Sequence, residues 1–277
     1  MLDDVQDVAL LDDREGLRWW KELLFVGGFY LVYTIIRDQF GSAAVGTTHA
    51  LHNAERVIDV ERWLGIFHEE AVQHFFLRWP DLVRLFNLYY GSLHFVVPIV
   101  ALVLLFRRWP EDYRWWRNAL AATTAIALIG FSVFPLMPPR LLCDCVYGAG
   151  PGAHYGFVDT LARFGGSWSF DSGAMRDVSN QYAAMPSLHV AWSLWCAFAL
   201  GPRVQRWWSR ALIVAYPVVT LLAVVVTANH YFLDAVGGAV TLALGAVVGS
   251  LATDLGARYR ASRCLVQPTG EAVPWPE

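Results

Sequence analysis

Two residues in the last quarter of the chain, His230 and Asp234, have the types and the spacing that a nucleophilic site requires. Side chains four positions apart on a helix share one face, so the Asp234 carboxylate can accept a hydrogen bond from one nitrogen of the His230 ring. That bond fixes the tautomer and leaves the second ring nitrogen free to attack. The pair therefore predicts nucleophilic catalysis by His230.

Other polar residues complete such a site. His189 supplies a second imidazole, which can protonate a departing oxygen as a general acid. Arg140 offers a planar fork of donors that matches the oxygens of a phosphate group. Ser187 and Asn229 lie beside these residues and are candidates for the lining of the pocket. Together these residue types predict the transfer of a phosphoryl-containing group.

The elements that must position these residues are membrane helices. The 277-residue chain is 56% hydrophobic and 16% charged, whereas a soluble domain carries about 25% charged residues. We therefore expect a lipid environment and the membrane as a partner. The net charge of -3 provides no basic excess, so nucleic acid is not an expected partner.

Six segments are apolar over about the 20 residues that a spanning helix needs. They are residues 20–36, 82–106, 119–136, 185–200, 211–227 and 231–251. Residues 41–80 mix apolar with charged side chains, which predicts an amphipathic helix in the membrane interface. A short helix packed on the bundle fits that pattern equally well. The predicted fold is an all-α integral membrane bundle of six transmembrane helices, with residues 19–255 as the catalytic domain.

The positive charges predict the orientation, because Lys and Arg in short loops favour the cytoplasm. Of the 21 Lys and Arg residues, 13 lie on the side that carries both termini. We therefore expect residues 1–18 and 256–277 to be cytoplasmic and the loop 137–184 to face outward. The candidate site is then extracytoplasmic, and we expect the protein in a bacterial plasma membrane.

Each candidate residue also has an ordinary explanation. A single histidine at a helix end is usually an interfacial residue, and an isolated His-x-x-x-Asp pattern often arises by chance. Arg140 can equally well bind lipid headgroups. The conjunction of these features at one membrane face favours function, because ionisable residues at membrane depth are costly.

A polar stripe in the second predicted span is a further candidate for the pocket wall. Asn87, Tyr90 and His94 are spaced so that they share one helical face. For His94, a structural role as a buried and hydrogen-bonded residue explains the sequence better than a role in the pocket.

Two segments resemble the second and third signature motifs of the type 2 phosphatidic acid phosphatase superfamily. They are Met185-Pro186-Ser187-Leu188-His189 and Asn229-His230-Tyr231-Phe232-Leu233-Asp234. Within the superfamily they are most similar to the inositol phosphorylceramide synthase branch. The resemblance covers about residues 87–249. It implies a six-helix bundle, no required metal or other cofactor, a phosphohistidine at His230 and proton donation by His189.

The chain departs from two further features of that superfamily. The first motif carries a Lys and an Arg-Pro in related phosphatases, whereas this chain has Arg140 and no Lys. Those phosphatases also have Ser-Arg shortly before the nucleophile, where this chain has Ala223-Val224. Arg140 is therefore the first candidate for binding phosphate, and Arg176 in the outer loop is the second.

Three functions are compatible with these residues. The first is a lipid phosphotransferase that acts on a phospholipid donor and an alcohol or lipid acceptor. The second is a lipid phosphate phosphatase, of the phosphatidic acid or isoprenyl phosphate type, in which water is the acceptor. The third is a transporter that uses the His and Asp groups as a proton relay. The polar residues gather at one face rather than near the midplane, where transporter sites lie, and this favours an enzyme.

Overall fold

The computed structural model describes residues 17–40, 47–142, 155–165 and 181–266, and these ranges contain helices but no strand. The all-α prediction is confirmed for this part of the chain. The helices are α1 (Trp19–Phe40), α2 (Thr47–Leu64), α3 (Glu69–Phe76), α4 (Pro80–Arg108), α5 (Pro110–Val133), α6 (Thr160–Phe164), α7 (Leu188–Leu200), α8 (Trp207–Val226) and α9 (Phe232–Val266). Two 3-10 turns, Pro139–Leu142 and Gly201–Arg203, lie between them.

Three helices in the described part of the chain are long and apolar enough to cross a membrane. They are α4, α8 and the segment Phe232–Arg260 of α9. The other three predicted spans coincide with α1, α5 and α7. Of these, α7 has 13 residues, fewer than the about 20 that cross the hydrocarbon core. The structure thus supports a membrane protein, while the six spans stay a prediction.

The predicted interfacial segment forms the two helices α2 and α3. The buried apolar residues of α2 pack in one cluster with Leu136, Met137 and Tyr231; they are Ala50, Ala54, Val57 and Ile58. The opposite face exposes Asp59 and Trp63. These contacts agree with a helix packed on the bundle, and contact with the membrane interface stays a prediction.

The starts of α7 and α9 lie side by side because α9 has a glycine where they meet. A Cβ atom at Gly238 would lie 2.4 Å from the Ser187 carbonyl oxygen, so any larger residue would push the helices apart. The Ser187 N–H donates to the Asp234 backbone carbonyl at 2.9 Å. This contact brings the first turns of the two helices to the same end of the bundle.

Farther along, α9 packs against α5 at equally short range. A Cβ atom at Gly249 would lie 2.5 Å from the backbone nitrogen of Ala119 and 2.6 Å from its Cα. Small residues allow this close approach between membrane helices.

Gly249→Ala should therefore lower the thermal stability of the purified protein in detergent, because the atoms it meets are backbone. An added methyl group in a well-packed contact costs about 1 to 3 kcal/mol. Gly256→Ala on the same helix is the control, since its Cβ would meet only the Arg260 side chain, at 3.5 Å. Equal unfolding temperatures for the two variants would contradict the close contact.

Candidate active site

The two halves of the candidate site lie at neighbouring helix starts. Ser187 caps α7, where its hydroxyl accepts the Val190 N–H at 3.4 Å. The cap places His189 in the first turn of α7. The other half, His230 and Asp234, lies where α8 turns back into α9.

Asp234 holds His230 by one ring nitrogen. His230 Nδ1 lies 3.2 Å from Asp234 Oδ2, and the same oxygen accepts the Tyr231 N–H at 2.9 Å. Asp234 is fully buried and His230 is 3% exposed. Because an ionised carboxylate only accepts hydrogen bonds, His230 donates through Nδ1 and carries its lone pair on Nε2.

The second nitrogen of His230 faces His189. His230 Nε2 lies 3.4 Å from His189 Nδ1. Since His230 Nε2 is an acceptor, a hydrogen bond between the rings requires the proton to be on His189 Nδ1. In such a bond the proton lies on the atom from which a general acid in this position would release it.

Two aromatic rings of α4 hold the His189 ring. The rings of Tyr90 and His94 stack on His189, with centroids 4.2 and 3.8 Å away. His94 in turn stacks on Trp192 at 4.6 Å. The sequence favoured a hydrogen-bonded His94, but its buried Nδ1 has no hydrogen-bond partner among the described residues. Its ring contacts His189 because the stripe on α4 faces α7.

Arg140 is buried beside the turn that contains Asn229 and His230, and it is held by two partners. Its Nε donates to Asn229 Oδ1 at 3.0 Å, and one terminal nitrogen donates to Asp159 Oδ2 at 3.2 Å. Asp159 also caps α6 by accepting the N–H groups of Leu161 and Ala162. Asn229 therefore orients Arg140, and Asp159 neutralises a cation that is only 6% exposed.

Asn87 binds α6 and its flanking residue. Its amide donates to the carbonyl oxygens of Thr160 and Gly165 at 3.0 and 2.9 Å, and its oxygen accepts the Thr160 hydroxyl at 2.9 Å. The Asn87 amide thus anchors α6, although the sequence placed it in the pocket wall. Arg176, the second phosphate candidate, lies outside the described residues.

The family model of the PAP2 superfamily matches residues 55–248, which is more than half of the chain. The chain belongs to the PAP2 superfamily. Membership indicates a phosphatase or a phosphotransferase, and it does not select the inositol phosphorylceramide synthase branch. A search of curated proteins and a search of solved structures found no significant match.

The PAP2 match extends beyond the region 87–249 that the two motifs indicated. It begins at residue 55 and so includes most of α2 and all of α3. Within the described ranges of this PAP2 protein, no three His, Cys, Asp or Glu side chains form a group that could hold a metal ion. The metal-free reaction stays a prediction.

Two glutamates that the sequence analysis missed complete the first turn of α9 in this PAP2 protein. Glu69 Oε1 accepts the Phe232 N–H at 2.8 Å, and Glu61 Oε1 accepts the Leu233 N–H at 2.6 Å. Both glutamates are fully buried. Burial, together with the neighbouring Glu69 carboxyl group, raises the pKa of Glu61 to about 9. Glu61 is therefore protonated at neutral pH.

One signal in the sequence identifies Glu61 in retrospect. It shares a helical face with Ala54, Val57 and Ile58, which are all buried, so it is a charged residue on the apolar stripe of α2. Such a residue is almost never fully buried without a partner. Glu69 opens a short helix and gives no comparable signal.

The raised pKa of Glu61 predicts that the protein becomes less stable as pH rises. An unfolded glutamate releases its proton near pH 4.5, whereas folded Glu61 retains it up to about pH 9. Between these values the folded state binds one more proton, so the free energy of unfolding falls with rising pH. Glu61→Gln removes this difference and keeps the hydrogen-bonding atoms. The unfolding temperature of Glu61→Gln minus that of wild type should therefore increase between pH 4.5 and about pH 9.

The control for this measurement is Asp59→Asn, which changes an exposed acid on the same helix. Its unfolding temperature relative to wild type should change little between the two pH limits. If the difference in unfolding temperature between Glu61→Gln and wild type were also independent of pH, Glu61 would not be protonated in the folded protein.

Proposed function

We propose that this protein is a membrane-embedded lipid phosphotransferase similar to inositol phosphorylceramide synthases. It takes a phosphoryl-containing group from a phospholipid onto His230 and passes the group to an alcohol or lipid acceptor. The observation that carries the proposal is the orientation of His230, with Nδ1 on buried Asp234 and Nε2 facing His189. Membership of the PAP2 superfamily supports this class of chemistry.

In the first half-reaction, the lone pair of His230 Nε2 forms a bond to phosphorus as the bond between phosphorus and the leaving oxygen breaks. His189 passes its Nδ1 proton to that oxygen and changes from the imidazolium to the neutral form, so the remainder of the donor departs as an alcohol. Asp234 stabilises the cationic ring that His230 becomes. In the second half-reaction, His189 removes the acceptor's proton, the acceptor oxygen attacks phosphorus, and His230 is regenerated.

The two imidazoles must separate before phosphorus can bind between them. A nucleophile approaches its target to about 3 to 3.5 Å, and a general acid lies within about 2.6 to 3.2 Å of the oxygen it protonates. The 3.4 Å between His230 Nε2 and His189 Nδ1 leaves no room for a P–O bond. We therefore assign this pair to the substrate-free state, in which the proton of His189 is held by the nucleophile.

Burial of the nucleophile favours transfer over hydrolysis. His230 is 3% exposed, and its turn lies against the buried carboxyl groups of α2 and α3. A site that excludes bulk water protects a reactive intermediate until an acceptor alcohol binds. Hydrolysis of a lipid phosphate is the second candidate, because the family match covers phosphatases as well. The distribution of Lys and Arg supports an extracytoplasmic site and therefore a donor in the outer leaflet.

The purified protein in detergent should be incubated with labelled phospholipids, with and without a polyol or a lipid alcohol. Transfer predicts a labelled product that contains the acceptor and a matching decrease in the water-derived product. Water-derived product alone, at a rate that no acceptor changes, would identify the phosphatase. Turnover of no lipid at all would contradict both enzyme functions, since a transporter performs no chemistry in detergent.

Arg140 is proposed to bind the phosphate oxygens while Asn229 and Asp159 hold its guanidinium group. Arg140→Lys should then lower kcat/KM by roughly a hundredfold, as removal of one aimed donor does in other sites, because one ammonium group cannot replace the fork. Arg163→Lys is the control, since Arg163 is an exposed arginine on α6. Full activity of Arg140→Ala at an unchanged unfolding temperature would transfer the assignment to Arg176.

A further inference from the structure

At the start of α9, three successive backbone N–H groups each donate a hydrogen bond to a carboxyl group. Asp234 accepts the N–H of Tyr231, Glu69 that of Phe232 and Glu61 that of Leu233, at 2.9, 2.8 and 2.6 Å. Only Asp234 belongs to α9 itself. The other two carboxyl groups reach this turn from α3 and α2.

These bonds occupy the positions at which a helix start commonly binds an anion. The free N–H groups and the helix dipole make such a turn a ready site for phosphate. Here protein carboxyl groups take these donors, so the substrate phosphate must be bound elsewhere. The carboxyl groups serve instead to fix the turn that begins directly after His230.

The two glutamates form one buried unit rather than two independent caps. The second carboxyl oxygen of each glutamate, Oε2, is buried without a hydrogen-bond partner among the described residues, and burial and the neighbouring Glu69 raise the pKa of Glu61. The titratable groups that face Glu61 are Glu69 on α3, Asp234 on α9 and the Tyr231 hydroxyl. A protonated Glu61 can donate to Glu69 while its other oxygen accepts the Leu233 N–H.

We infer that Glu61 and Glu69 are positioning residues of the active site, which hold His230 in place through the first turn of α9. This inference rests on the proposed role of His230 as the nucleophile. It makes α2 and α3 part of the catalytic machinery rather than a cover over the bundle. A shift of the turn would move His230 Nε2 relative to His189 and to the substrate, and catalysis is sensitive to displacements of about 1 Å.

The test compares Glu61→Ala, Glu61→Gln and Glu69→Ala with the control Asp59→Ala, which removes an exposed acid from the same helix. The two alanine variants at positions 61 and 69 should lower kcat on the order of a hundredfold with little change in KM. Glu61→Gln should restore most of kcat, because its amide can accept from Leu233 and donate to Glu69 as protonated Glu61 can. Asp59→Ala should match wild type.

A second measurement does not depend on activity. Hydrogen exchange of the backbone amides of residues 231–233, followed by mass spectrometry, should be faster in Glu61→Ala and Glu69→Ala than in wild type and Asp59→Ala. If Glu61→Ala does not fold, Glu61→Asp replaces it, since its carboxyl is one methylene too short to reach Leu233. Glu61→Asp should show the same loss of kcat and the same faster exchange.

Wild-type kcat in the alanine variants, with or without faster exchange, would overturn the positioning role. An equal loss of kcat in Asp59→Ala, or no rescue by Glu61→Gln, would overturn it as well. Absence of phosphoryl transfer and of hydrolysis in the wild-type protein would instead overturn the proposed function. The exchange rates would then still decide whether the two glutamates hold the turn.

Discussion

The candidate site depends on one buried interaction, the hydrogen bond between Asp234 and His230 at the start of α9. A carboxylate without solvent exposure is costly unless donors surround it. Asp234 Oδ2 accepts both the His230 ring and the Tyr231 N–H, while Oδ1 has no hydrogen-bond partner among the described residues. The positive end of the α9 dipole adds to this stabilisation. The same carboxylate thus fixes the tautomer of the candidate nucleophile and the geometry of the helix start that follows it.

A chain of polar contacts extends from this turn across the end of the bundle. Asn229 accepts from Arg140, Arg140 pairs with Asp159, and Asp159 caps α6, which Asn87 anchors to α4. On the other side of the turn, the buried glutamates connect α9 to α2 and α3. The candidate nucleophile and the candidate phosphate-binding cation are therefore supported by segments far apart in the sequence, and both lie where helix ends meet.

The sequence predicted the parts of the structure that depend on local spacing. His230 and Asp234 are four positions apart and lie in contact, although His230 precedes α9, which begins at Phe232, so the two do not share a helical face as the spacing predicted. Each apolar run corresponds to a helix. Contacts between distant segments could not be predicted in this way. Glu69 and Glu61 meet their partners 163 and 172 positions later, and Asp159 lies in a loop where no periodicity applies. The number of membrane spans could not be predicted from apolar runs alone, because the run at residues 185–200 forms a helix of only 13 residues.

The most direct test of the roles of His230 and His189 varies the leaving group while the phosphorylated intermediate is measured. A lipid alkoxide needs a proton to depart, whereas a nitrophenolate departs with little help. With a nitrophenyl phosphate ester, His189→Ala should therefore give a burst and accumulate acid-labile phosphate on His230, because it lacks the base for the second half-reaction. The same variant should be nearly inactive on a phospholipid, and His230→Ala should be inactive on both substrates. Equal rescue of the two variants by the nitrophenyl ester, or phosphate on His189 with none on His230, would contradict this account.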